Sequence, residues 1–194
     1  MQVCQFTIHL PLPDCIYAFA VWGVLFYRKI RYGYSFHRIK LTQNQSAIVD
    51  VEDFQELNQF KWYAIKDCAT YYARRTINIG QTAKVVAMHR QVLKYKGLLV
   101  IDHINGNGLD NRKANLRIAT PAQNSYNVRK ITRPCSSKYR GVSKSKQINK
   151  WAAYIAKNRK RTHLGFFENE IDAAKAYDKA AKELHGEFAR LNFT

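Results

Sequence analysis

A carboxylate, an imidazole and two side-chain amides lie at fixed spacing in the middle of this chain. Asp102 and His103 are adjacent, Asn115 follows twelve residues after the histidine, and Asn124 lies nine residues further on. Carboxylate and amide oxygens are the ligands that hard divalent cations such as Mg²⁺ prefer. A histidine, whose ordinary pKa is about 6.5, can accept a proton from water at neutral pH. These residue types predict metal-assisted hydrolysis.

The segment before Asp102 and His103 is predicted to be a strand that ends in a loop. Residues 98–101 form a continuous apolar run, which is typical of a buried strand. The loop that follows is rich in Gly and Asn, and residues 116–118 are predicted to form the returning strand. The two polar residues would therefore lie where the first strand of a hairpin ends.

A helix is predicted to begin directly after this hairpin. Thr120 is a good N-cap, Pro121 suits the first helical position, and Gln123 lies three residues after the cap. Asn124 then falls on the first turns of the helix and is expected to face back toward the hairpin.

This order of hairpin and helix resembles the HNH endonuclease family, in its phage-type homing branch with Asn at the third motif position. The resemblance is carried by Asp-His-Ile-Asn-Gly-Asn at 102–107, Asp-Asn-Arg at 110–112, Asn-Leu-Arg at 115–117 and Gln-Asn at 123–124. The family fold is a two-stranded hairpin packed on one helix around a single divalent metal. The resemblance therefore implies a ββα-metal nuclease core.

The roles of the family residues can be carried over to the matching positions. Asp102 and Asn124 would hold one Mg²⁺ or Mn²⁺ ion, with no zinc, and His103 would accept a proton from the attacking water. Asn115 would hydrogen-bond across the loop and fix the histidine. Asn127, one turn after Asn124, is the alternative second ligand.

Five further polar residues lie near this motif, and the sequence leaves the roles of three of them open. Arg112 and Arg117 could contact DNA phosphate, or they could balance Asp110 and Asp102. His89 is expected to be a hydrogen-bonded structural histidine, although a phosphate contact is possible. Asn105 and Asn111 are expected to form turns.

The part of the chain before the motif is predicted to contain short strands and two helices. Apolar and polar residues alternate in four segments, which favours strands, and a fifth strand is expected near 84–87. A short acidic helix is expected at 50–57. Met88, Val92 and Tyr95 are predicted to share one face of a second helix. The alternating segments are 39–42, 47–50, 61–64 and 71–74.

The positive charge of the chain is concentrated in one region. The formal net charge is +18, and residues 125–167 contain twelve Lys or Arg and no Asp or Glu. Such asymmetry favours a nucleic-acid partner. A basic face kept only for solubility would not explain the aromatic residues among these charges, Tyr139, Trp151, Tyr154, Phe166 and Phe167.

The last third of the chain is predicted to be a three-stranded antiparallel sheet packed on one helix. Three segments read as strands, and a helix follows with an apolar stripe that Gly186 is placed to end. The expected stripe consists of Ile171, Ala174, Tyr177, Ala181 and Leu184. All six acidic residues of 125–194 fall from Glu168 onward, so the other face of the sheet should be basic.

This pattern resembles the apetala-two/ethylene-response-factor (AP-two/ERF) DNA-binding domain over about 138–193. The matching motifs are Tyr-Arg-Gly-Val at 139–142, Leu-Gly-Phe-Phe at 164–167, Ala-Ala-x-Ala-Tyr-Asp at 173–178 and Asn-Phe at 192–193. In that family the sheet enters the major groove of DNA, which admits such elements.

The resemblance implies a set of DNA contacts from the exposed face of the sheet. Arg140 and Arg161 match family contact positions, whereas Ser143, Ser145, Ala156 and His163 depart from them, so the plant target sequence does not transfer. Tyr154 is expected to point to DNA, with a core aromatic as the alternative. The predicted DNA-contacting residues are Arg140, Lys144, Lys146, Tyr154, Arg161 and His163, with Arg129 and Lys130 in the linker and Arg112 and Arg117 in the first domain. Arg159 and Lys160 are further phosphate-positioning charges.

The remaining features limit the cellular setting. The four cysteines lie far apart with no Cys-x-x-Cys pair, which argues against a zinc finger or a disulfide framework and fits the reducing cytoplasm. The uncharged apolar run at 15–27 is too short for the roughly 20 residues that cross a bilayer. No membrane role is therefore expected, and residues 1–37 are assigned no function.

Together these observations predict an α+β protein with an apolar extension at 1–37, a nuclease domain at 38–128, a basic linker at 129–137 and a DNA-binding domain at 138–194. The expected activity is that of a homing-type DNA endonuclease encoded by a mobile element, acting on double-stranded DNA as a monomer or weak dimer. One alternative is a transcription regulator whose nuclease core is inactive. A structural or membrane-associated protein that uses the N-terminal run is another.

Overall fold

The first part of the chain forms two small antiparallel sheets and three helices. The structure, a computed structural model, describes residues 14–67, 70–127 and 136–193. A hairpin pairs β1 with β2, and a second sheet has the strand order β3-β4-β5. The elements are α1 Asp14–Tyr32, β1 His37–Lys40, β2 Ser46–Val49, α2 Val51–Leu57, β3 Tyr63–Asp67, β4 Thr70–Ile79, β5 Thr82–Ala87 and α3 Met88–Val92.

The core of this part lies among β1, β2, α2 and α3. Val49, Leu57 and Met88 are almost completely buried, and the indole nitrogen of Trp62 donates a hydrogen bond to the Leu57 carbonyl oxygen at 2.8 Å. The prediction for the second helix is only partly confirmed. Met88 and Val92 are buried on α3, but the helix ends at Val92, and Tyr95 packs against the core from the following turn.

The hairpin that carries Asp102 and His103 consists of β6 Val100–His103 and β7 Leu116–Ala119. In its register Asp102 lies opposite Arg117, and His103 lies opposite Leu116. The prediction that the strand begins at residue 98 is wrong, because Leu98 is fully exposed and Leu99 is 40% exposed. Apolar character gave the right region, but tertiary packing covers the strand only from Val100 onward.

Helix α4, Pro121–Asn127, follows the hairpin where the sequence predicted a helix. The Thr120 hydroxyl accepts a hydrogen bond from the Gln123 backbone N–H at 3.2 Å, and the Gln123 side chain accepts one from the Thr120 N–H at 2.8 Å. This reciprocal pair is a capping box, and it fixes the point at which the helix begins. Since α4 packs on β6 and β7, it lies beside the end of the hairpin.

The C-terminal part contains a second three-stranded sheet and one long helix. The antiparallel sheet has the order β10-β9-β8, and α5 packs across its strands. Small alanines on α5 allow the close approach of helix and sheet, with Ala173, Ala174 and Ala181 fully buried. The elements are β8 Val142–Lys144, β9 Trp151–Lys157, β10 Lys160–Phe167 and α5 Glu170–His185.

The buried stripe of α5 differs from the predicted one at both ends. Ile171 is 48% exposed and Leu184 is 36% exposed, whereas His185 is buried. At the C-terminal end the residue four positions after Ala181, rather than three, faces the protein. The helix ends before Gly186, as predicted, and this glycine has a positive φ of 56°.

Gly141, the residue directly before β8, has no room for a side chain. Its φ is +71°, and a Cβ atom would overlap the ring of Tyr177. The glycine therefore allows the loop before β8 to lie directly on α5.

The N-terminal apolar run forms part of helix α1. Its large side chains are mostly exposed, including Phe19 at 72% and Trp22 at 58%, and the Trp22 ring stacks on Phe26 with centroids 5.2 Å apart. Within residues 14–67, 70–127 and 136–193, no helix combines the length and the apolarity that crossing a membrane requires.

Candidate functional site

The Asp102 carboxylate is held by an arginine from the opposite strand. Asp102 is only 3% exposed, and its Oδ2 atom accepts hydrogen bonds from Nε and Nη2 of Arg117 at 2.8 and 2.7 Å. The pair follows from the register of the hairpin, in which Asp102 and Arg117 are direct partners. Both arginine contacts fall on one oxygen, so Oδ1 is left to other partners.

Asn127 connects α4 to the same carboxylate. Its Nδ2 atom lies 2.9 Å from Asp102 Oδ1, 2.9 Å from the His103 carbonyl oxygen and 3.2 Å from the Ile104 carbonyl oxygen. Carbonyl oxygens can only accept hydrogen bonds, so the atom that faces them must be the amide nitrogen. In this orientation Asn127 positions the hairpin as a donor, which argues against its alternative role as a metal ligand.

Asn124 lies one turn before Asn127 and is half-buried. Residues three apart on a helix lie on the same side. Asn127 contacts Asp102 directly, so we expect Asn124 to lie on the side of α4 that faces the hairpin. The pairing of Asn124 with Asp102 around a cation remains a prediction.

His103 lies in a buried cluster of aromatic and polar side chains. Its ring centroid is 5.3 Å from that of His89 and 5.7 Å from that of Tyr72, both in edge-on orientations. His103 is 5% exposed, and its Nε2 atom is buried without a hydrogen-bond partner among the described residues. With Nε2 enclosed, Nδ1 is the candidate nitrogen for proton transfer from water.

Asn111 lies beside this imidazole. The residue is fully buried, and neither atom of its amide has a hydrogen-bond partner in the described part of the chain. The amide acts to raise the pKa of His103, although no hydrogen bond of full geometry joins the two. The sequence assigned Asn111 to turn formation. Its burial follows from a contact with β2, because its backbone N–H donates to the Ile48 carbonyl oxygen at 2.8 Å.

The protonation of His103 is set mainly by its surroundings. Burial lowers the pKa of His103 below its ordinary value, while Asn111 and the nearby carboxylates of Asp102 and Asp110 act in the opposite direction. The pKa is lowered on balance, so the imidazole is neutral at pH 7 and can accept a proton.

Asn115 fixes the loop between the two strands of the hairpin. Its Oδ1 atom accepts a hydrogen bond from the Asn105 N–H at 3.0 Å, and its Nδ2 atom donates to the Asp110 carbonyl oxygen at 2.8 Å. The side chain thus spans the loop that follows His103. This geometry fits a positioning role for Asn115, and its hydrogen bonds to the described residues do not include one to the imidazole itself.

His89 gives a testable pH dependence of stability. Burial lowers the pKa of His89 to about 3, with His103 and two arginines adding to the effect. The unfolded chain takes up a proton near pH 6.5, whereas the folded protein does not until about pH 3. Replacing His89 by phenylalanine should therefore flatten the fall in the free energy of unfolding between these pH values, by at most about 1.4 kcal/mol per pH unit.

The measurement is urea unfolding of the wild type and of His89→Phe at several pH values from 7 down to 4. The carboxylates contribute equally to both proteins, so the difference between the two curves isolates His89. Parallel curves would show that His89 is protonated equally in both states.

Arg112 and Arg117 both form intramolecular ion pairs. Arg112 donates through Nε and Nη2 to the two oxygens of Asp110 at 2.7 and 2.6 Å, and its guanidinium lies 3.5 Å from the centre of the Tyr34 ring. Each arginine side chain is only 13% exposed. This favours the charge-balancing role over the phosphate contact that was the other possibility.

The outer face of the C-terminal sheet, defined as the face opposite α5, carries several of the predicted DNA contacts. Tyr154 pairs with His163 across the strands, and their rings lie 4.9 Å apart. The Arg161 guanidinium lies 3.7 Å from the centre of the Tyr154 ring. Ala153 and Ile155 point the other way into the core with α5. Tyr154 is half-buried and lies on the outer face, with an aromatic and a cationic neighbour.

The other predicted DNA contacts are distributed around this sheet. Lys144 and Lys146 are exposed, with Lys144 on β8 and Lys146 in the loop after it. Arg140 is half-buried, and its guanidinium acts to lower the pKa of Tyr177, which burial raises. Arg129 and Lys130 lie outside the described residues.

A cleft of about 870 Å³ lies between α4 and the C-terminal sheet. Ala122, Ser125 and Tyr126 of α4 line one side, and Arg140, Tyr154 and Arg159 line the other. Tyr177 and His185 of α5 also line the cleft, so it lies where α4, α5 and the strands of the sheet meet. A cationic cleft with aromatic walls suits a nucleic-acid strand.

The metal-binding potential of the site depends on oxygen ligands. In the part of the chain that the structure describes, no group of three or more His, Cys, Asp or Glu residues is placed to hold a metal ion. Mg²⁺ commonly binds through one or two carboxylates and keeps several waters.

Comparison with known proteins bears on the part of the chain that contains this site. A family model described as HNH endonuclease matches residues 88–126, from α3 to α4. An uncharacterized HNH endonuclease of Acanthamoeba polyphaga mimivirus is 31% identical over 152 residues, which cover 75% of this chain and 74% of that protein. Protein 3.8 of Escherichia phage T7 is 34% identical over 91 residues, 47% of this chain and 74% of that protein.

A different part of the chain matches plant transcription factors. An ethylene-responsive transcription factor of Arabidopsis thaliana is 49% identical over 57 residues, which cover 28% of this chain and 31% of that protein. The chain therefore belongs to the HNH endonuclease family and joins its nuclease part to a segment similar to the AP-two/ERF DNA-binding domain.

Proposed function

We propose that this protein is a Mg²⁺- or Mn²⁺-dependent endonuclease of the homing type, which hydrolyses phosphodiester bonds in double-stranded DNA. The observation that carries the proposal is the end of β6. There the buried Asp102 carboxylate and the neutral His103 imidazole belong to consecutive residues, and Asn127 of α4 contacts both the carboxylate and the His103 carbonyl oxygen. The transcription-regulator alternative has no comparable observation in its favour.

The donor set at this place fits a hard divalent cation. Asp102 Oδ1 is contacted only by the Asn127 amide among the described residues, whereas Oδ2 is engaged by Arg117. Oδ1 therefore has a lone pair available, and the Asn124 amide oxygen on the adjacent helix would be the second ligand. A carboxylate with one amide oxygen matches the preference of Mg²⁺ or Mn²⁺ rather than that of zinc.

Each of the protein groups at this site would have a separate role in the reaction. His103 Nδ1 would accept a proton from the water that attacks phosphorus, since the imidazole is neutral at pH 7. Asn115 and Asn111 would hold the loop and the ring in place. Arg117 would hold the buried Asp102 carboxylate in one orientation. The bound cation would neutralise the charge that develops on the phosphoryl oxygens and the leaving 3′ oxygen.

The C-terminal sheet would bind the DNA and bring the nuclease domain to it. Its outer face presents Arg161, Tyr154 and His163, and the cleft beside α4 is lined by Arg140 and Arg159. We expect the phosphate backbone to follow these cations from the sheet toward α4.

The proposal is tested by incubating supercoiled plasmid with the protein and Mg²⁺. We expect nicked or linear products, and we expect EDTA to prevent them. Plasmid that stays intact over a range of sequences and metals, while the protein still binds DNA, would favour the transcription-regulator alternative.

The recognition surface makes a separate prediction. Replacing Arg161 by alanine should weaken DNA binding and reduce the slope of log Kd against log salt by about 1, since one phosphate contact is lost. Lys179→Ala is the matched control, because Lys179 is an exposed cation on α5, the helix behind the sheet. Fluorescence anisotropy at several salt concentrations measures both slopes. Equal slopes in the two variants would remove Arg161 from the interface.

A further inference from the structure

The C-terminal part of the chain contacts both residues that hold the Asp102 carboxylate, one through its side chain and the other through its backbone. Arg117 donates its remaining nitrogen, Nη1, to the carbonyl oxygen of Glu187, and its guanidinium lies 4.0 Å from the centre of the Phe188 ring. Arg190 donates to the backbone oxygen of Asn127 at 3.3 Å. We call residues 185–190 the docking segment.

A ring stack adds a second contact between the docking segment and α4. The rings of Tyr126 and His185 are parallel within 4°, with centroids 3.9 Å apart. His185 is 8% exposed and Phe188 is 7% exposed, so both are buried where the two parts meet. The docking segment therefore has the burial of a packed interface.

These contacts lead to one inference, which depends on the proposed function. We propose that the docking segment positions the metal-binding carboxylate of the nuclease: it anchors Arg117 and α4, and these in turn hold Asp102. The C-terminal part of the chain would then support the structure of the cleavage site in addition to binding DNA.

The physical reason is that the buried Arg117 guanidinium needs partners for its nitrogens and its face. Arg117 directs two nitrogens to Asp102, and its third nitrogen and its face are satisfied only by Glu187 and Phe188 among the described residues. Without those partners the long side chain regains its rotamer freedom and can turn toward solvent. The Asp102 carboxylate, buried and uncompensated, would then no longer be held in one orientation.

The test removes the anchor and leaves the metal ligands intact. Phe188→Ala should weaken Mn²⁺ binding and lower the cleavage rate, each by about 10-fold, as is usual for residues that orient metal ligands. Mn²⁺ binding is measured with the protein bound to a DNA duplex, as the decrease in the EPR signal of free Mn²⁺. A His103→Ala background is used so that the duplex stays uncut. Unchanged or tighter Mn²⁺ binding overturns the proposal.

Two controls separate positioning from unfolding. Phe193→Ala removes another phenylalanine of the same C-terminal tail, one whose ring lies 5.2 Å from Tyr139 within the C-terminal part, and Mn²⁺ binding should stay as in the wild type. DNA affinity of Phe188→Ala should also be unchanged, because the outer face of the sheet is untouched. If Mn²⁺ binding falls only together with DNA affinity, the C-terminal part has unfolded and positioning is refuted.

A double-mutant cycle identifies the path of the effect. Lysine at position 117 cannot contact Asp102 and Glu187 together, so the effect of Phe188→Ala should be much smaller in an Arg117→Lys background. Fully additive effects would show that the path does not run through Arg117. Absence of plasmid cleavage by the wild type would instead count against the proposed function, and the EPR measurement would still decide whether the docking segment controls Mn²⁺ binding.

Discussion

Replacing His103 by alanine is expected to lower the rate of plasmid cleavage by about 10²- to 10⁴-fold, the usual contribution of a general base. The imidazole is neutral at pH 7, so the proposed proton transfer from the attacking water depends on it. DNA binding should change little, because His103 is 5% exposed and lies away from the outer face of the sheet. Gel assays under single-turnover conditions measure the rate, and anisotropy measures the affinity.

The matched control is His37→Gln, which removes an imidazole that stacks on Phe54 outside the candidate site. The alanine variant also opens a cavity, so His103→Gln, which fills more of the space, serves as a second test. Added imidazole should restore part of the activity to the alanine variant and less to the glutamine variant. Cutting at the wild-type rate by both His103 variants would remove the histidine from the chemistry.

The parts of the fold that the sequence predicted correctly are specified by local interactions. The start of α4 depends on Thr120 and Gln123, three residues apart, and their capping box forms as expected. The end of α5 at Gly186 depends on one residue that tolerates a positive φ. Such signals need no knowledge of the rest of the protein.

The errors arise where burial depends on distant contacts. Leu98 is as apolar as the core residues, but nothing covers it, and it is fully exposed. Asn111 is hydrophilic and lies in a loop, but β2 covers it, and its amide lies beside His103. Composition and periodicity describe a residue, whereas burial also depends on the segments that pack against it.

The same reasoning explains which parts of the candidate site the sequence could supply. Asp102, His103 and Asn115 all lie within one hairpin and its loop, so a short sequence motif is enough to identify them. The second role of Arg117 could not be found in this way, because its partner Glu187 lies seventy residues later in the chain. No short pattern connects two positions at that separation.

Asp102→Asn is expected to cause the second large loss of activity, about 10²- to 10⁴-fold in cleavage rate. This range corresponds to the several kcal/mol that a bound cation supplies to the transition state. The change also breaks a buried ion pair, in which the side chains of Arg117 and Asp102 are 13% and 4% exposed. An uncompensated buried charge typically costs about 3–5 kcal/mol, so the single variant should also be less stable.

Loss of stability and loss of metal binding can be separated by removing both charges. The double variant Asp102→Asn with Arg117→Gln contains no uncompensated charge at this place, so urea unfolding should show much of the lost stability regained. Cleavage and Mn²⁺ binding should stay low, because a neutral amide at position 102 is a weaker ligand for a hard cation than a carboxylate. If the double variant regained wild-type cleavage along with its stability, Asp102 would be a structural partner of Arg117, and the cation would have to be bound elsewhere.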